Sequence, residues 1–99
     1  MTTTNEGKLI HWDSVESKLV LPAQLGINQL AALIKENGWL SLPVKKVDFS
    51  QVIKADSAIF AVLLIWSSNL DEKLQVIQLP EDLQTLIKLY DLDEVLALV

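Results

Sequence analysis

Two short segments rich in aliphatic residues come first in the pattern, residues 8–15 with Trp12 and residues 18–21. Both predict strands, joined by a tight turn near Glu16 and Ser17. Pro22 ends the second, because proline has no N–H to give to a ladder. The period then changes. Ile27, Leu30, Ala31 and Ile34 fall at i, i+3, i+4 and i+7, which is one face of a helix. Lys35 in its last turn and Gly38 just beyond are usual stop signals. Pro43 precedes residues 44–49, a predicted third strand with Val47 and Phe49 on one face.

Residues 58–66 are apolar throughout, so periodicity alone cannot separate a buried strand from a buried helix. Length favours a helix, because the segment extends through Ser67 and Ser68 to Leu70. Asp56 and Ser57 just before it are good N-cap residues. A helix that is apolar all round must be covered on most sides, by the core or by a partner. Residues 74–79 predict a fourth strand. Pro80 then suits the first position of a helix, with Glu81 and Asp82 in the first turn where the helix dipole favours acids. Leu83, Leu86, Ile87 and Tyr90 form its apolar face. Asp91 and Glu94 have capping-box spacing, and Leu92, Val95, Leu96 and Val99 predict a last short helix. Strands alternating with helices imply crossovers, hence an α/β fold with a largely parallel sheet. Residues 1–7 are expected to be disordered and residues 8–99 to form one domain.

Composition narrows the function. Of the 99 residues 51% are apolar, enough for a core, though a domain of this size has little surplus stability. There is no cysteine, which excludes disulfides, thiolate metal sites and a catalytic thiol. The start of the chain lacks the basic and apolar regions of a signal peptide, and the apolar run at 58–66 is far shorter than the ~20 residues that span a bilayer. A cytoplasmic protein without direct membrane insertion is therefore expected. Net charge is −5, and all of it lies in residues 71–99, since residues 1–70 carry six lysines and six acids. With no arginine in the chain, nucleic acid is not an expected partner. The acidic end is either a solvated face or a surface for a basic protein.

Catalytic chemistry finds little footing. His11 is the only histidine and lies in a predicted strand, with no second histidine or cysteine to share a metal. No metal or cofactor is expected. There is no Gly-x-Ser-x-Gly elbow, Walker A segment, GxGxxG or HExxH, and Gly7, Gly26 and Gly38 are isolated. The adjacent acids Asp71–Glu72, Glu81–Asp82 and Asp93–Glu94 read as solvated caps. Trp12, Trp39 and Trp66 read as packing residues. One local arrangement stands out: Val47-Asp48-Phe49-Ser50, then Asp56-Ser57, then the apolar segment. A hydroxyl at a helix start sits where free backbone N–H groups point outward, and a phosphate there would meet donors and a favourable dipole. The plainer reading is that Asp56 and Ser57 only cap the helix.

The stretch VDFSQVIKADSAIFAVLL, residues 47–64, resembles the signature of STAS domains: a strand ending in Asp-Leu/Phe-Ser, a short loop, then Asp-Ser or Asp-Thr opening an apolar helix. LQVIQLP, residues 74–80, and LQTLIKLYDLDEVL, residues 83–96, match in type and spacing. The step Leu89-Tyr90-Asp91-Leu92 is similar to that of MlaB-like proteins, the STAS subunits of Mla phospholipid ABC transporters. The resemblance spans about residues 8–98. It implies a mixed four- to five-stranded sheet packed against about four helices, and no catalytic centre. It implies a partner surface at Asp56 and Ser57, with Lys54 and Ala58 beside them as expected contacts and Ile59 and Phe60 as either contact anchors or core residues. That surface would dock a cytoplasmic MlaF-like ATPase subunit and, through it, the membrane permease that maintains outer-membrane lipid asymmetry. For antagonists of anti-sigma factors the same resemblance implies phosphorylation at Ser57. Here Ala58 and Ile59 stand where those antagonists have small residues and a glycine, so the loop is stiffer and the surface more apolar. An exposed apolar docking surface also favours self-association of the isolated domain.

Overall fold

The computed structural model describes residues 11–99, apart from the side chains of His11, Asn37 and Trp39. The expected disordered segment 1–7 and the first residues of the predicted opening strand lie outside the described residues. Strands β1 (His11–Asp13) and β2 (Lys18–Val20) form an antiparallel hairpin with Trp12 opposite Leu19. Asp13 closes the turn, its carboxylate Oδ1 accepting from the N–H of Val15 at 3.0 Å and of Glu16 at 3.2 Å. Then β4 (Lys46–Asp48), β6 (Leu74–Ile77) and β7 (Leu96–Leu98) add in parallel, giving the order β1-β2-β4-β6-β7. Helices α1 (Ile27–Asn37), α2 (Ile59–Ser68) and α3 (Glu81–Leu89) occupy the successive crossovers.

Every crossover steps the same way across the sheet. Right-handed connections then put all three helices on one face. Burial agrees with this. Leu19, Val47, Leu74 and Val76 are fully buried and Leu96 nearly so, while the alternating residues Lys18, Lys46, Asp48, Gln75 and Ile77 are only half-buried. The helix-covered face carries the core, and the other face is mixed in polarity.

Helix α2 lies on that core. Ile59, Phe60, Val62, Leu63 and Trp66 are buried, whereas Ala61, Leu64, Ile65 and Ser68 face outward. Residues 58–66 are thus helical, and the undecided periodicity is settled by burial on one side only. Gly38 ends α1 in the left-handed conformation at φ 62°, where a residue without Cβ is unstrained.

Four expectations change. The segment from Leu92 onward is a short 3-10 turn, Leu92–Glu94, followed by β7, so among the described residues there are three α-helices and the main sheet gains a fifth strand. The β-branched and aliphatic residues there pair with β6 and bury Leu96 under α3's side of the sheet. Asp91 is no capping-box residue: it adopts φ 55° and its side chain makes no cap hydrogen bond. Tyr90 is 62% exposed and does not join Leu83 and Ile87 in the core. Two residues each from β3 (Gln24–Leu25) and β5 (Lys54–Ala55) form a small parallel bridge that no sequence period announces.

Candidate functional site

The β3–β5 bridge sets the geometry of the site. The N–H of Ile53 and of Lys54 donate to the Ala23 carbonyl at 2.8 and 3.1 Å, and the N–H of Asp56 donates to the Leu25 carbonyl at 2.9 Å. These bonds tie the entrance of α1 to the entrance of α2. The two helices therefore start side by side, and a shallow apolar groove of ≈ 250 Å³ runs between them. Its α1 wall is Ile27, Leu30, Ala31 and Ile34. Its α2 wall is Ala58, Ala61, Val62 and Ile65, and Leu40 from the turn after α1 adds to the lining. No lining residue is charged or polar.

The stripe Ile27, Leu30, Ala31, Ile34 is the one read from the sequence as a buried helix face. Only Leu30 of the four is buried; Ile27 is 55% exposed. The inward face of α1 is Leu30 and Leu33, and the stripe is rotated toward the groove. Ile27, Leu40 and Ile65 together expose apolar surface along this groove. A contiguous, uncharged patch of this kind suits a protein partner. Small-molecule sites, by contrast, usually add a few convergent polar groups.

Asp56 and Ser57 lie where the chain enters α2, next to Ala58 of the groove. Both are exposed. Asp56 Oδ1 accepts from the Ala58 N–H at 2.8 Å, so Asp56 caps the approach to the helix. The Ile59 N–H donates to the Asp56 carbonyl, the Phe60 N–H to the Ser57 carbonyl and the Ala61 N–H to the Ala58 carbonyl. The outward-pointing donors expected for a phosphate at this helix start are therefore already used. The Ser57 hydroxyl makes no hydrogen bond with the described residues.

Of the six expected partner-contact residues, Lys54, Asp56 and Ser57 are exposed and Ala58 is half-buried on the groove wall. Ile59 and Phe60 are 0% and 6% exposed and belong to the core, because the turn at Asp56–Ala58 directs the first helical residues inward. The outward positions of this part of α2 are Ala61, Leu64 and Ile65. Their exposure follows from the helical period once Ile59 is placed inside, but an all-apolar stretch does not show its own phase. Trp66 is buried and Trp12 packs against the core. His11 does lie in a strand, β1, but its side chain falls outside those described. Among the described residues no group of three or more His, Asp or Glu side chains is placed to hold a metal ion. No described helix is long and apolar enough to cross a membrane.

Neither a family model nor a curated protein matches the chain. Among solved structures, a candidate anti-sigma factor antagonist from Thermotoga maritima superposes with a TM-score of 0.61 at 18% identity. The alignment covers 92% of this chain and 86% of that one. The mixed five-stranded sheet, the helices in its crossovers and this likeness give the chain the fold of anti-sigma factor antagonists, the STAS fold.

Proposed function

We propose that this domain is a non-enzymatic interaction module whose partner binds across the start of α2 and the α1–α2 groove. The observation that carries the reading is the uncharged groove between the two helices, set directly beside the exposed pair Asp56–Ser57. An apolar centre with a polar rim is the usual anatomy of a protein interface. Catalysis has no matching assembly of groups among the described residues.

The partner we assign is the cytoplasmic ATPase subunit of an Mla-type phospholipid ABC transporter. This assignment is supported by the resemblance of residues 47–64 and of the Leu89-Tyr90-Asp91-Leu92 step. In that role the domain stabilises the ATPase and supports lipid traffic that keeps the outer membrane asymmetric. It sits in the cytoplasm and reaches the inner membrane only through the complex. A tagged-domain pulldown from the native host, read by mass spectrometry, tests it. Recovery of an ABC ATPase with its permease is the expected result. Recovery of a serine kinase or a sigma-factor regulator in its place overturns it.

The second reading is a regulatory antagonist switched by phosphorylation of Ser57. It is supported by the name of the structural neighbour and by the exposed Ser57 hydroxyl, which makes no hydrogen bond with the described residues. With the α2 donors occupied and the Asp56 carboxylate adjacent, a phosphate here acts by repulsion at the rim of the groove. Intact-mass analysis of protein from the host decides: a stoichiometric +80 Da species on Ser57 supports the switch, and its absence under all growth conditions removes it.

A further inference from the structure

The last strand offers a surface separate from the groove. β7 pairs with β6 on one side only and, among the described residues, nothing pairs with its other side. The Val95 carbonyl accepts from Leu74, the Val99 N–H donates to Val76, and the Val99 carbonyl accepts from Gln78. Backbone groups alternate in direction along a strand, so those of Leu96 and Leu98 point away from the sheet. Residues 95–99, VLALV, contain no charge and no proline, the usual devices that keep an edge strand from pairing. Exposed apolar side chains cluster on the same part of the chain. Val95, Leu98 and Val99 are 37%, 47% and 68% exposed, and Leu89 and Tyr90 just upstream are 67% and 62% exposed.

We propose that two copies of this chain pair antiparallel through their β7 edges, joining two five-stranded sheets into one. The edge is self-complementary about a two-fold axis through Ala97. Leu96 then lies opposite Leu98 of the second copy, and Leu98 opposite its Leu96. Both are residues whose N–H and C=O point outward, so the two pairs exchange four hydrogen bonds. Alanine at the axis leaves room for close approach, and leucines meet leucines on the helix side. Asp93 and Glu94 immediately precede the strand. Parallel pairing would set these acids side by side, whereas antiparallel pairing holds the two Glu94 side chains about 20 Å apart and brings each one toward the Val99 end of the second copy. A foreign strand could take the hydrogen bonds but would not satisfy this match by symmetry.

The contact is short, so the dimer is weak. Sedimentation equilibrium on the full chain from about 10 µM to 1 mM tests it. The variants are Leu98→Pro, Leu98→Lys and Ala61→Arg. The N–H of residue 98 faces outward, so Leu98→Pro blocks the edge without breaking the β6 ladder. The expected result is a concentration-dependent dimer, weakened at least tenfold in both Leu98 variants and unchanged in Ala61→Arg. Circular dichroism checks that each variant is folded. Should Leu98→Pro fail to fold, Leu98→Lys decides, together with concentration-dependent protection of the Leu98 amide in the parent protein. A monomer throughout, a dimer untouched by either Leu98 change, or a dimer lost in Ala61→Arg overturns the proposal. Capture of the transporter ATPase by Leu98→Lys stays intact, which separates this surface from the groove.

Discussion

Ile59 and Ala61 are two residues apart on α2 and have opposite fates, and truncating the first against enlarging the second tests the placement of the helix. Ile59 is 0% exposed, packed in the cluster with Leu63 and Trp66 over the sheet. Ile59→Ala removes buried methyl and methylene groups and leaves a cavity, at a cost of about 2–5 kcal/mol. A domain of this size holds about 5–15 kcal/mol in total. Each lost kcal/mol lowers Tm by roughly 4–8 °C for a chain of this length, so Ile59→Ala should melt at least about 8 °C below the parent. Ala61 is exposed on the groove wall, and arginine is a good helix former, so Ala61→Arg should melt within about 3 °C of the parent. The assay is thermal unfolding followed at 222 nm by circular dichroism at one protein concentration. Equal melting temperatures for the two variants, or a larger loss in Ala61→Arg, would refute the inward and outward faces assigned to α2.

Other outcomes follow from single contacts. Gly38→Ala places a Cβ at φ 62° where the nearest side-chain atom is 3.6 Å away, so the cost is backbone strain of about 1 kcal/mol, read as a Tm lower by about 4–8 °C. Asp56→Ala loses the bond to the Ala58 N–H and should cost about 1 kcal/mol in urea unfolding, with Asp56→Asn recovering most of it. Ile65→Ala trims a side chain 41% exposed in the groove. Burying that remainder against a partner is worth about 1 kcal/mol, so affinity for the captured ATPase should fall about fivefold in calorimetry. Ser57→Asp adds a charge at the rim without touching the core; it should leave Tm unchanged and lower partner affinity.

Strands β2, β4 and β6 were legible because their residues alternate or run apolar between proline and glycine breaks, as at Pro22, Gly38 and Pro43. Asp56 was legible as a cap from its place before an apolar run. The inward phase of α2 was not, because nine consecutive apolar residues carry no face of their own. The same reason hid the difference between Ile59 and Ile65. The β3–β5 bridge was invisible for a different cause: two residues per strand are too few for a period, and their pairing is a tertiary event. The last strand was misread as a helix because Leu92, Val95, Leu96 and Val99 also satisfy helical spacing. Pairing of residues 96–98 with β6 outweighs that local preference. Exposure of the stripe on α1 is the most instructive case. The pattern correctly located an apolar face, and the structure shows that part of it lies exposed along the α1–α2 groove.

The central claim is that the α1–α2 groove is the docking surface. Site-specific photo-crosslinking in the native host tests it most directly, with a benzoylphenylalanine placed in turn at position 61 in the groove and at position 85 on the exposed side of α3. A crosslink from position 61 to an ABC-transporter ATPase, with none from position 85, is the predicted result. Crosslinking of that ATPase from position 85 and not from position 61 would contradict the account.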